Sequence, residues 1–355
     1  MKTIKNTLKL ALVLLLFVSC SEVEPIPEQE QVVSEATVSP SIGGDNEPNQ
    51  LYFDFSSNTQ TEVKRDSWDL RFYSGDNFRV SLNTSIYMAT IALDGTNLNA
   101  ITESDVSHLF DAVSVATFDA NNVNYVDDFD GDITKTAIAA ISDTAENNKA
   151  YLLNLGYEVS TESSDAGSVS IKGAHRGWKK IRILKQGAKY VLRYANLDDT
   201  SYQEVEISKN SEFNFSFFSF NTNAMADVEP NKEKWDICFS VFTNEFPGYG
   251  TYGYTDFILS NNLQNVKAYQ VLTTDFTFVD FTLADVVDSQ YVSTQRAIGS
   301  SWRVGGGPGS SPSVKTDRFY ILKDTGNHVF KVRFTALTND DGVRGNPTFE
   351  YSLLE

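Results

Sequence analysis

Residues 64–72 of this 355-residue sequence are Lys64-Arg65-Asp66-Ser67-Trp68-Asp69-Leu70-Arg71-Phe72, and a looser form returns as Lys232-Glu233-Lys234-Trp235-Asp236-Ile237-Cys238-Phe239. In each copy a charged run leads into Trp-Asp and then into alternating apolar residues, which is the pattern of a β-strand. A second strand-like segment follows each copy, over 78–84 and 255–260. The repeat therefore predicts two copies of one β module.

Strand signals dominate the rest of the sequence. Apolar and polar residues alternate, with many β-branched and aromatic side chains, in the segments 51–55, 78–82, 180–184, 190–194, 213–220 and 329–334. Helical periodicity is weak, and residues 133–156 are the stretch that could hold a helix. We therefore predict an all-β protein of two tandem antiparallel modules, over residues 51–225 and 226–355, with little helix.

Some stretches fit the repeat less simply. The strand at 215–220 corresponds to residues 53–57, which also precede a Trp-Asp phrase, so it is a candidate to serve both copies. Residues 105–170 and the glycine-rich stretch 305–311 have no counterpart in the other copy and are predicted to be insertions. Binding residues are often carried by long loops on a β scaffold, so we expect any site to use parts that the copies do not share.

The N-terminus has the features of an exported, lipid-anchored protein. Three lysines precede an apolar run at 10–18, which ends in Ser19-Cys20 and resembles a bacterial lipobox. We expect residues 1–19 to be a lipoprotein signal peptide and Cys20 to carry the lipid. Residues 20–50 are acidic and proline-rich, so they are predicted to be a disordered tether. Their acidity resembles the surface-export signals of Bacteroidetes lipoproteins, which points to the outer membrane and to its outer face as a candidate location.

Charge and composition argue against several functions. The formal net charge of −18 disfavours binding to nucleic acid. Cys238 has no partner for an internal disulfide, since Cys20 is expected to be lipidated, and we expect it to be a core residue. No hydrolase or nucleotide-binding motif is present, so we predict that the chain is not an enzyme. The acidic run 127–132 does not fit the register of an EF-hand and is interpreted as a solvated loop.

Three motifs carry a resemblance to a known family. Trp235-Asp236-Ile237-Cys238-Phe239, Lys331-Val332-Arg333-Phe334 and Pro347-Thr348-Phe349-Glu350-Tyr351 resemble the HmuY family of haem-binding surface lipoproteins. The first Trp-Asp copy matches this pattern less fully, because it lacks the Pro-Thr-Phe end. The resemblance implies a protein that captures haem from host haemoproteins and passes it to a TonB-dependent receptor in the outer membrane.

Haem binding would require ligands for the iron, apolar walls and donors for the propionates. Met88, His108 and His175 are the candidate iron ligands. Arg176, Trp178 and Tyr87 are candidates to contact the propionates or the ring. Each of these residues is also compatible with a purely structural role.

A second interpretation is a lipid-anchored protein that binds a glycan or a protein partner without haem. Its candidate contacts are Tyr249, Tyr252 and Tyr254, which lie in the aromatic stretch 246–254. Tyrosine-rich loops provide rigid contact area and leave a hydroxyl available for hydrogen bonding. A third interpretation is a structural lipoprotein of the cell envelope.

Overall fold

The computed structural model describes residues 31–306 and 311–355, in which the chain forms antiparallel strands joined by turns and short helices. The strands are β1 (Glu35–Val38), β2 (Asn49–Asp54), β3 (Thr59–Lys64), β4 (Leu70–Tyr73), β5 (Val80–Leu82), β6 (Ala89–Ala92), β7 (Ala150–Asn154), β8 (Trp178–Gln186), β9 (Lys189–Ala195), β10 (Gln203–Ser208), β11 (Phe215–Ser219), β12 (Ala224–Ala226), β13 (Ile237–Phe246), β14 (Gly250–Ser260), β15 (Lys267–Leu272), β16 (Arg303–Val304), β17 (Ser313–Val314), β18 (Arg318–Lys323), β19 (Val329–Thr338) and β20 (Arg344–Leu353).

Helices are short in the described part of the chain. The α-helix α1 covers Glu103–Val106, and the 3-10 helices are Thr84–Ile86, Leu98–Ala100, Ser107–Leu109, Ala120–Tyr125, Ala145–Asn147, Asn262–Gln264, Leu283–Asp285 and Asp288–Gln290. The all-β prediction is confirmed. The helix considered for residues 133–156 is wrong except for one 3-10 turn at Ala145–Asn147.

Strands β4 to β12 form one two-layer unit, which we call sandwich 1. Its four-stranded sheet has the order β12-β11-β4-β5, and its five-stranded sheet has the order β10-β9-β8-β7-β6. Side chains that alternate along these strands meet in a shared core, including Leu70 and Phe72 from β4 and Ile181 and Ile183 from β8. Burial of each such side chain contributes about 1.5–3 kcal/mol, so the alternation seen in the sequence favours the packing of the two layers.

Strands β1 to β3, β13 to β15 and β18 to β20 form a second unit, sandwich 2. Its sheets have the orders β14-β13-β2-β3 and β1-β20-β19-β18-β15. The core contains many aromatic rings, including Phe53, Phe239 and Phe349, with ring centroids 5.2 Å apart for Phe53 and Phe349 and 5.7 Å apart for Phe239 and Phe349. The short strands β16 and β17 pair separately.

The two sandwiches have the same strand arrangement but are built differently along the chain. Strands β1 to β3 occupy in sandwich 2 the places that β10 to β12 occupy in sandwich 1. The hairpin that precedes each Trp-Asp phrase consequently pairs with the strand that follows the other phrase: Phe53 is opposite Ile237, and Phe218 is opposite Leu70. The predicted bounds at 51–225 and 226–355 therefore do not coincide with the sandwiches, because β2 and β3 lie in the same sheet as β13 and β14.

The two Trp-Asp phrases are the connections between the sandwiches, and they form matching contacts. The Asp69 carboxylate accepts a hydrogen bond from the backbone amide of Phe220, and Asp236 accepts one from that of Phe55. Each phrase is also closed by an asparagine side chain that donates to the tryptophan carbonyl: Asn83 at 2.8 Å in the first copy and Asn261 at 2.9 Å in the second. The repeated sequence thus builds the same local structure twice.

The tryptophans of the two phrases lie where the four-stranded sheets pack against each other. Trp68 packs edge-on against Phe217, and Trp235 packs edge-on against Tyr52, each with ring centroids 5.0 Å apart and planes at 82°. Because successive side chains of a strand face opposite sides, these rings point away from the two sandwich cores. Cys238 is buried in the same cluster, so the structure places it in the contact between the two sheets.

The tether predicted for residues 20–50 is wrong over its second part. Glu35–Val38 forms strand β1 and pairs with β20, while Ile42 and Glu47 are fully buried. A mainly polar composition did not prevent order here, because an existing sheet edge offers backbone partners. The predicted signal peptide at 1–19, the lipidation site Cys20 and the first part of the tether lie outside the described residues. No helix in the described ranges is long and apolar enough to span a membrane.

Candidate functional site

The three predicted iron ligands do not meet. Met88 is 1% exposed and belongs to the core of sandwich 1. His108 is exposed, within the 3-10 helix Ser107–Leu109. His175 accepts a hydrogen bond from the backbone amide of Gly177 at Nδ1 (3.2 Å), and its Nε2 lies 2.9 Å from the Asn154 side-chain oxygen.

The bonding of His175 leaves neither ring nitrogen available to a metal in this conformation. Because Nδ1 accepts a hydrogen bond, it carries no proton, and Nε2 must carry one in order to donate to the Asn154 oxygen; the ring is therefore the neutral Nε2–H tautomer. Burial, with a smaller contribution from the positive charge of Lys172, lowers the pKa of His175 and favours the same neutral form.

Two of the three predicted ring or propionate contacts have structural partners. Arg176 forms an ion pair with Asp69 (2.6 Å), and the exposed fractions of the two side chains are 5% and 0%. Trp178 stacks on Phe110 with ring centroids 4.2 Å apart. The third predicted residue, Tyr87, lies elsewhere, in the wall of a large cleft.

This cleft, which we call the aromatic–arginine cleft, has a volume of about 750 Å³. It lies between β14, the segments at 116–118 and 167–172, and the chain around Arg303 and Arg344. The size is in the range usual for sites that bind small molecules. The structure therefore brings together Tyr87 and part of the 105–170 insertion with Tyr252 and Tyr254, which come from the stretch proposed as the alternative contact.

Aromatic side chains form the wall of the cleft. Tyr87, Phe118, Tyr252 and Tyr254 line it. Tyr252 lies 6.3 Å from Phe118 and 5.9 Å from Tyr254 between ring centroids. Gly253 separates the two tyrosines of β14 and allows close approach, because a Cβ there would lie 2.0 Å from the Tyr87 hydroxyl. The third predicted tyrosine, Tyr249, lies outside the cleft at the tip of the β13–β14 hairpin, where its ring stacks on Phe246.

The floor of the cleft contains buried arginines. Arg344 donates to Asp256 and to the Thr255 hydroxyl (2.8 Å), and Arg303 donates to the Thr255 carbonyl. The backbone amide of Asp256 donates to the buried Glu47 carboxylate at 3.0 Å. The Nε atoms of Arg303 and Arg344 have no hydrogen-bond partner among the described residues.

The charge balance of this floor is positive. Burial, and then the nearby Asp256 carboxylate, raise the pKa of Glu47 to about 8, so Glu47 is mainly neutral at pH 7. Arg303 and Arg344 lie beside the Asp256 side chain, and Lys172 adds a third basic side chain at the cleft surface. This positive centre stands out in a chain whose net charge is −18. The arrangement suits a ligand that carries negative charge.

Backbone strain is concentrated around the same cleft. Nine residues other than glycine have a positive φ among those described, and four of them are asparagine, which tolerates this conformation. The remaining five are the wall residues Tyr87, Ala116 and Phe118 and the floor residues Glu47 and Asp256, with φ between 42° and 68°. Strained conformations of this kind cost about 1–3 kcal/mol each and cluster at functional sites. They distinguish this cleft from the rest of the surface.

The acidic run 127–132 has a structural role at its first residue. Asp127 is buried and accepts hydrogen bonds from the backbone amides of Leu82 and Ala137 at 2.7 and 2.9 Å. Within the described residues, no group of three or more potential metal ligands is found.

Sequence reasoning missed most of the cleft floor. Arg303, Arg344, Glu47 and Asp256 are distant in sequence and belong to no motif. The available signal was indirect: Glu47 lies in a stretch predicted to be a tether, and Arg303 directly precedes the glycine-rich loop.

Fold and site together define an all-β protein of two sandwiches that carries a cleft with an aromatic wall and an arginine floor. A model of the HmuY protein family matches residues 46–351, so the chain belongs to the HmuY family. This single match includes both Trp-Asp phrases.

Two of the solved structures that the chain matches come from Tannerella forsythia and Bacteroides fragilis. An apo HmuY analog of Tannerella forsythia is 18% identical and covers 50% of this chain and 96% of its own, with a TM-score of 0.23. A "putative lipoprotein" of Bacteroides fragilis is 12% identical and covers 49% of this chain and 88% of its own, with a TM-score of 0.21. No curated protein matches the chain significantly.

Proposed function

We propose that this protein is a lipid-anchored haem-binding protein of the outer membrane, which holds haem in the aromatic–arginine cleft for delivery to a TonB-dependent uptake system. Membership of the HmuY family supports the haem ligand. The observation that carries the proposal is the combination, in one cleft, of a tyrosine wall, an arginine floor and the clustered backbone strain.

The chemistry of the cleft fits two parts of haem. The porphyrin is flat and apolar, and aromatic side chains bind such faces by stacking and by burying area. Its two propionates are anionic at neutral pH, and Arg303, Arg344 and Lys172 provide the opposite charge. The cleft residues would therefore hold and orient the ring, and the role is binding rather than catalysis.

Export and anchoring are part of the same proposal. The lipobox-like end at Cys20 would place the protein on a membrane through its lipid, and the acidic residues that follow resemble a surface-export signal. On the outer face, the chain could take haem from host haemoproteins and transfer it to the receptor.

A haemin titration of the purified full-length chain tests the proposal, monitored by Soret absorbance and by quenching of tryptophan fluorescence. We expect Tyr252→Ala to weaken haemin binding by about fivefold or more, because one stacked aromatic ring contributes roughly 1 kcal/mol or more. Tyr249→Ala is the matched control, since Tyr249 is on the same hairpin but does not line the cleft. It should leave the affinity unchanged.

Variants of the predicted iron ligands test whether haemin binds outside the cleft. His108→Ala and His175→Ala should bind haemin as the unmodified chain does. If either substitution abolishes binding while Tyr252→Ala does not, the ligand site lies outside the cleft. If the unmodified chain leaves the haemin spectrum unchanged at micromolar concentrations, the haem proposal is wrong.

A second candidate function is contact with a glycan or a protein partner through the hairpin tip. The specific observation is that Phe246 and Tyr249 stack at 5.0 Å and remain exposed, Tyr249 by 55%. Exposed aromatic pairs of this kind bind sugar rings and protein surfaces. A glycan-binding assay in which Tyr249→Ala loses binding, with no haemin binding by the unmodified chain, would favour this function.

A further inference from the structure

The aromatic–arginine cleft provides contacts for a ring and for carboxylates, and among the usual ligands of haem iron its described lining offers tyrosine alone. Its lining includes no histidine, methionine or cysteine. Haem iron in proteins is usually held by His, Met, Cys or Tyr.

The candidate ligands of the described chain are placed elsewhere. Met88 is in the core of sandwich 1, and Met225 is on β12, at the edge of that sandwich. His175 has both ring nitrogens engaged, and His328 bonds Asp324 at the turn between β18 and β19. Cys238 is buried between the two four-stranded sheets.

The tyrosines of the wall are weak substitutes. A phenol ligates ferric iron as the phenolate, and burial raises the pKa of both Tyr87 and Tyr254 above its ordinary value. Tyr87 is additionally held against Gly253 by close packing. Tyr252 is the most exposed of the three and serves as a ring face.

The floor is arranged to select carboxylates. The guanidinium groups of Arg303 and Arg344 reach the cleft surface while their other donors are fixed by Thr255 and Asp256. Neutral Glu47 leaves their positive charge incompletely balanced. Fixed guanidinium groups in a partly dehydrated site favour an anionic ligand more than mobile surface lysines do.

We infer that the cleft recognises a planar tetrapyrrole dicarboxylate by its ring faces and its carboxylates, and not by its iron. Metal-free protoporphyrin is then as good a ligand as haemin. This inference rests on the proposed function, because it names the ligand class of the same site.

The test compares three ligands on the full-length chain: haemin, metal-free protoporphyrin and the dimethyl ester of protoporphyrin. Quenching of tryptophan fluorescence gives the affinities. We expect haemin and protoporphyrin to bind within about threefold of each other, a difference of less than 1 kcal/mol. The ester, which lacks the two charges, should bind at least about tenfold more weakly, because a charge-assisted hydrogen bond contributes 1.5–3 kcal/mol.

Two variants separate carboxylate recognition from folding. Arg303→Gln should weaken haemin and protoporphyrin binding about equally and leave the ester unaffected. Because Arg303 also bonds the Thr255 carbonyl, the exposed Lys172→Gln variant repeats the test without touching a buried contact, and a smaller loss, up to about fivefold, is expected. Lys149→Gln, which removes the same charge outside the cleft, is the matched control.

The outcomes are distinct. Tight haemin binding without protoporphyrin binding would overturn the inference and leave the proposed function in place. A low-spin haemin spectrum that is lost in His108→Ala or His175→Ala would likewise overturn the inference, because it would show that the iron is ligated by a histidine. If the chain binds neither haemin nor protoporphyrin, the proposed function is wrong and the inference falls with it. Equal binding of both, lost together in Arg303→Gln and Lys172→Gln, supports the inference.

Discussion

Asp69 accepts a hydrogen bond from the backbone amide of Phe220 at 2.6 Å, across a sequence separation of 151 residues. Phe220 follows β11, the hairpin strand that precedes the second Trp-Asp phrase, whereas Asp69 belongs to the first phrase. In the matching bond the copies are exchanged: the Phe55 amide, in the hairpin before the first phrase, donates to Asp236 of the second phrase. Each aspartate therefore ties its strand to a hairpin from the other copy, which explains why residues 32–355 form one unit.

The ion pair between Asp69 and Arg176 should be a major stabilising contact. Both side chains are buried, so removing one partner leaves an uncompensated charge, at a cost of about 3–5 kcal/mol. We expect Asp69→Ala and Arg176→Met each to lower the free energy of unfolding by that amount, measured by urea denaturation. The double variant should lose less than the sum of the two, by about 2 kcal/mol.

The exposed pair Arg193–Glu204 is the control for this cycle, since Arg193→Ala should cost less than about 1 kcal/mol. Additive losses at Asp69 and Arg176 would show that the two residues do not interact in solution. A loss of haemin affinity in Arg176→Met without loss of stability would restore the propionate role for Arg176.

Glu229 should make stability depend on pH. It is buried in the connection between the sandwiches, accepts a hydrogen bond from the Phe215 amide at 2.7 Å, and has its pKa raised by burial to about 8. The folded state therefore holds a proton that the unfolded chain releases near pH 4.5, so this contribution is full below about pH 4.5 and is lost as the pH rises through about 8.

We expect the free energy of unfolding of the unmodified chain to fall relative to that of Glu229→Gln between pH 5 and pH 9, by about 4 kcal/mol. Parallel urea denaturation of both proteins at several pH values measures the difference. A constant difference across this range would show that Glu229 is already ionised in the fold.

Gly253→Ala should disturb the cleft wall selectively. A Cβ at this position would lie 2.0 Å from the Tyr87 hydroxyl, so the Tyr87 ring must move, at a cost of about 1–3 kcal/mol. We expect haemin or protoporphyrin affinity to fall in this variant, as measured by tryptophan quenching. Tyr249→Ala, in the same hairpin but outside the lining of the cleft, should retain the affinity. Equal affinities in both variants would remove Tyr87 from the site.

His175 should titrate below the ordinary range. Burial and the positive charge of Lys172 lower its pKa, and the bonds to Gly177 and Asn154 favour the neutral ring. Following the imidazole proton signals by NMR should give a midpoint below about 6.5, with an upward shift in Lys172→Ala. A midpoint above 7 would mean that the ring is charged in the fold and does not accept the Gly177 amide.

The prediction of individual strands from the sequence was close for long alternating segments. Residues 180–184, 190–194 and 329–334 fall within β8, β9 and β19, because alternation of apolar residues is a local property that burial on one face requires. Which strands pair with each other could not be predicted from the sequence. The hairpins at 49–64 and 215–226 have the same local pattern, so nothing within either one specifies which Trp-Asp strand it joins.

The candidate site was also predicted in part: some of its residues could be named from the sequence, but their availability could not. The predicted insertions 105–170 and 305–311 contribute Phe118 and Gly305 to the lining of the cleft, and the structure brings them together with the predicted contacts Tyr87, Tyr252 and Tyr254. The chemistry of Met88 and Arg176 suits an iron ligand and a propionate contact. In the structure, however, Met88 is buried in the core of sandwich 1 and Arg176 forms an ion pair with Asp69. A residue type indicates what a side chain can do, whereas its neighbours decide whether it is available.

By itself, the sequence determined that the chain is all-β, that it repeats a Trp-Asp phrase and that it resembles the HmuY family, since periodicity and motif are written in consecutive residues. Only the tertiary structure decided that each hairpin completes the other sandwich and that Glu47, Asp256, Arg303 and Arg344 meet below the tyrosine wall. The physical reason is that backbone pairing and charge burial depend on contacts between residues up to about 300 positions apart, and their balance is set only after the sheets have packed.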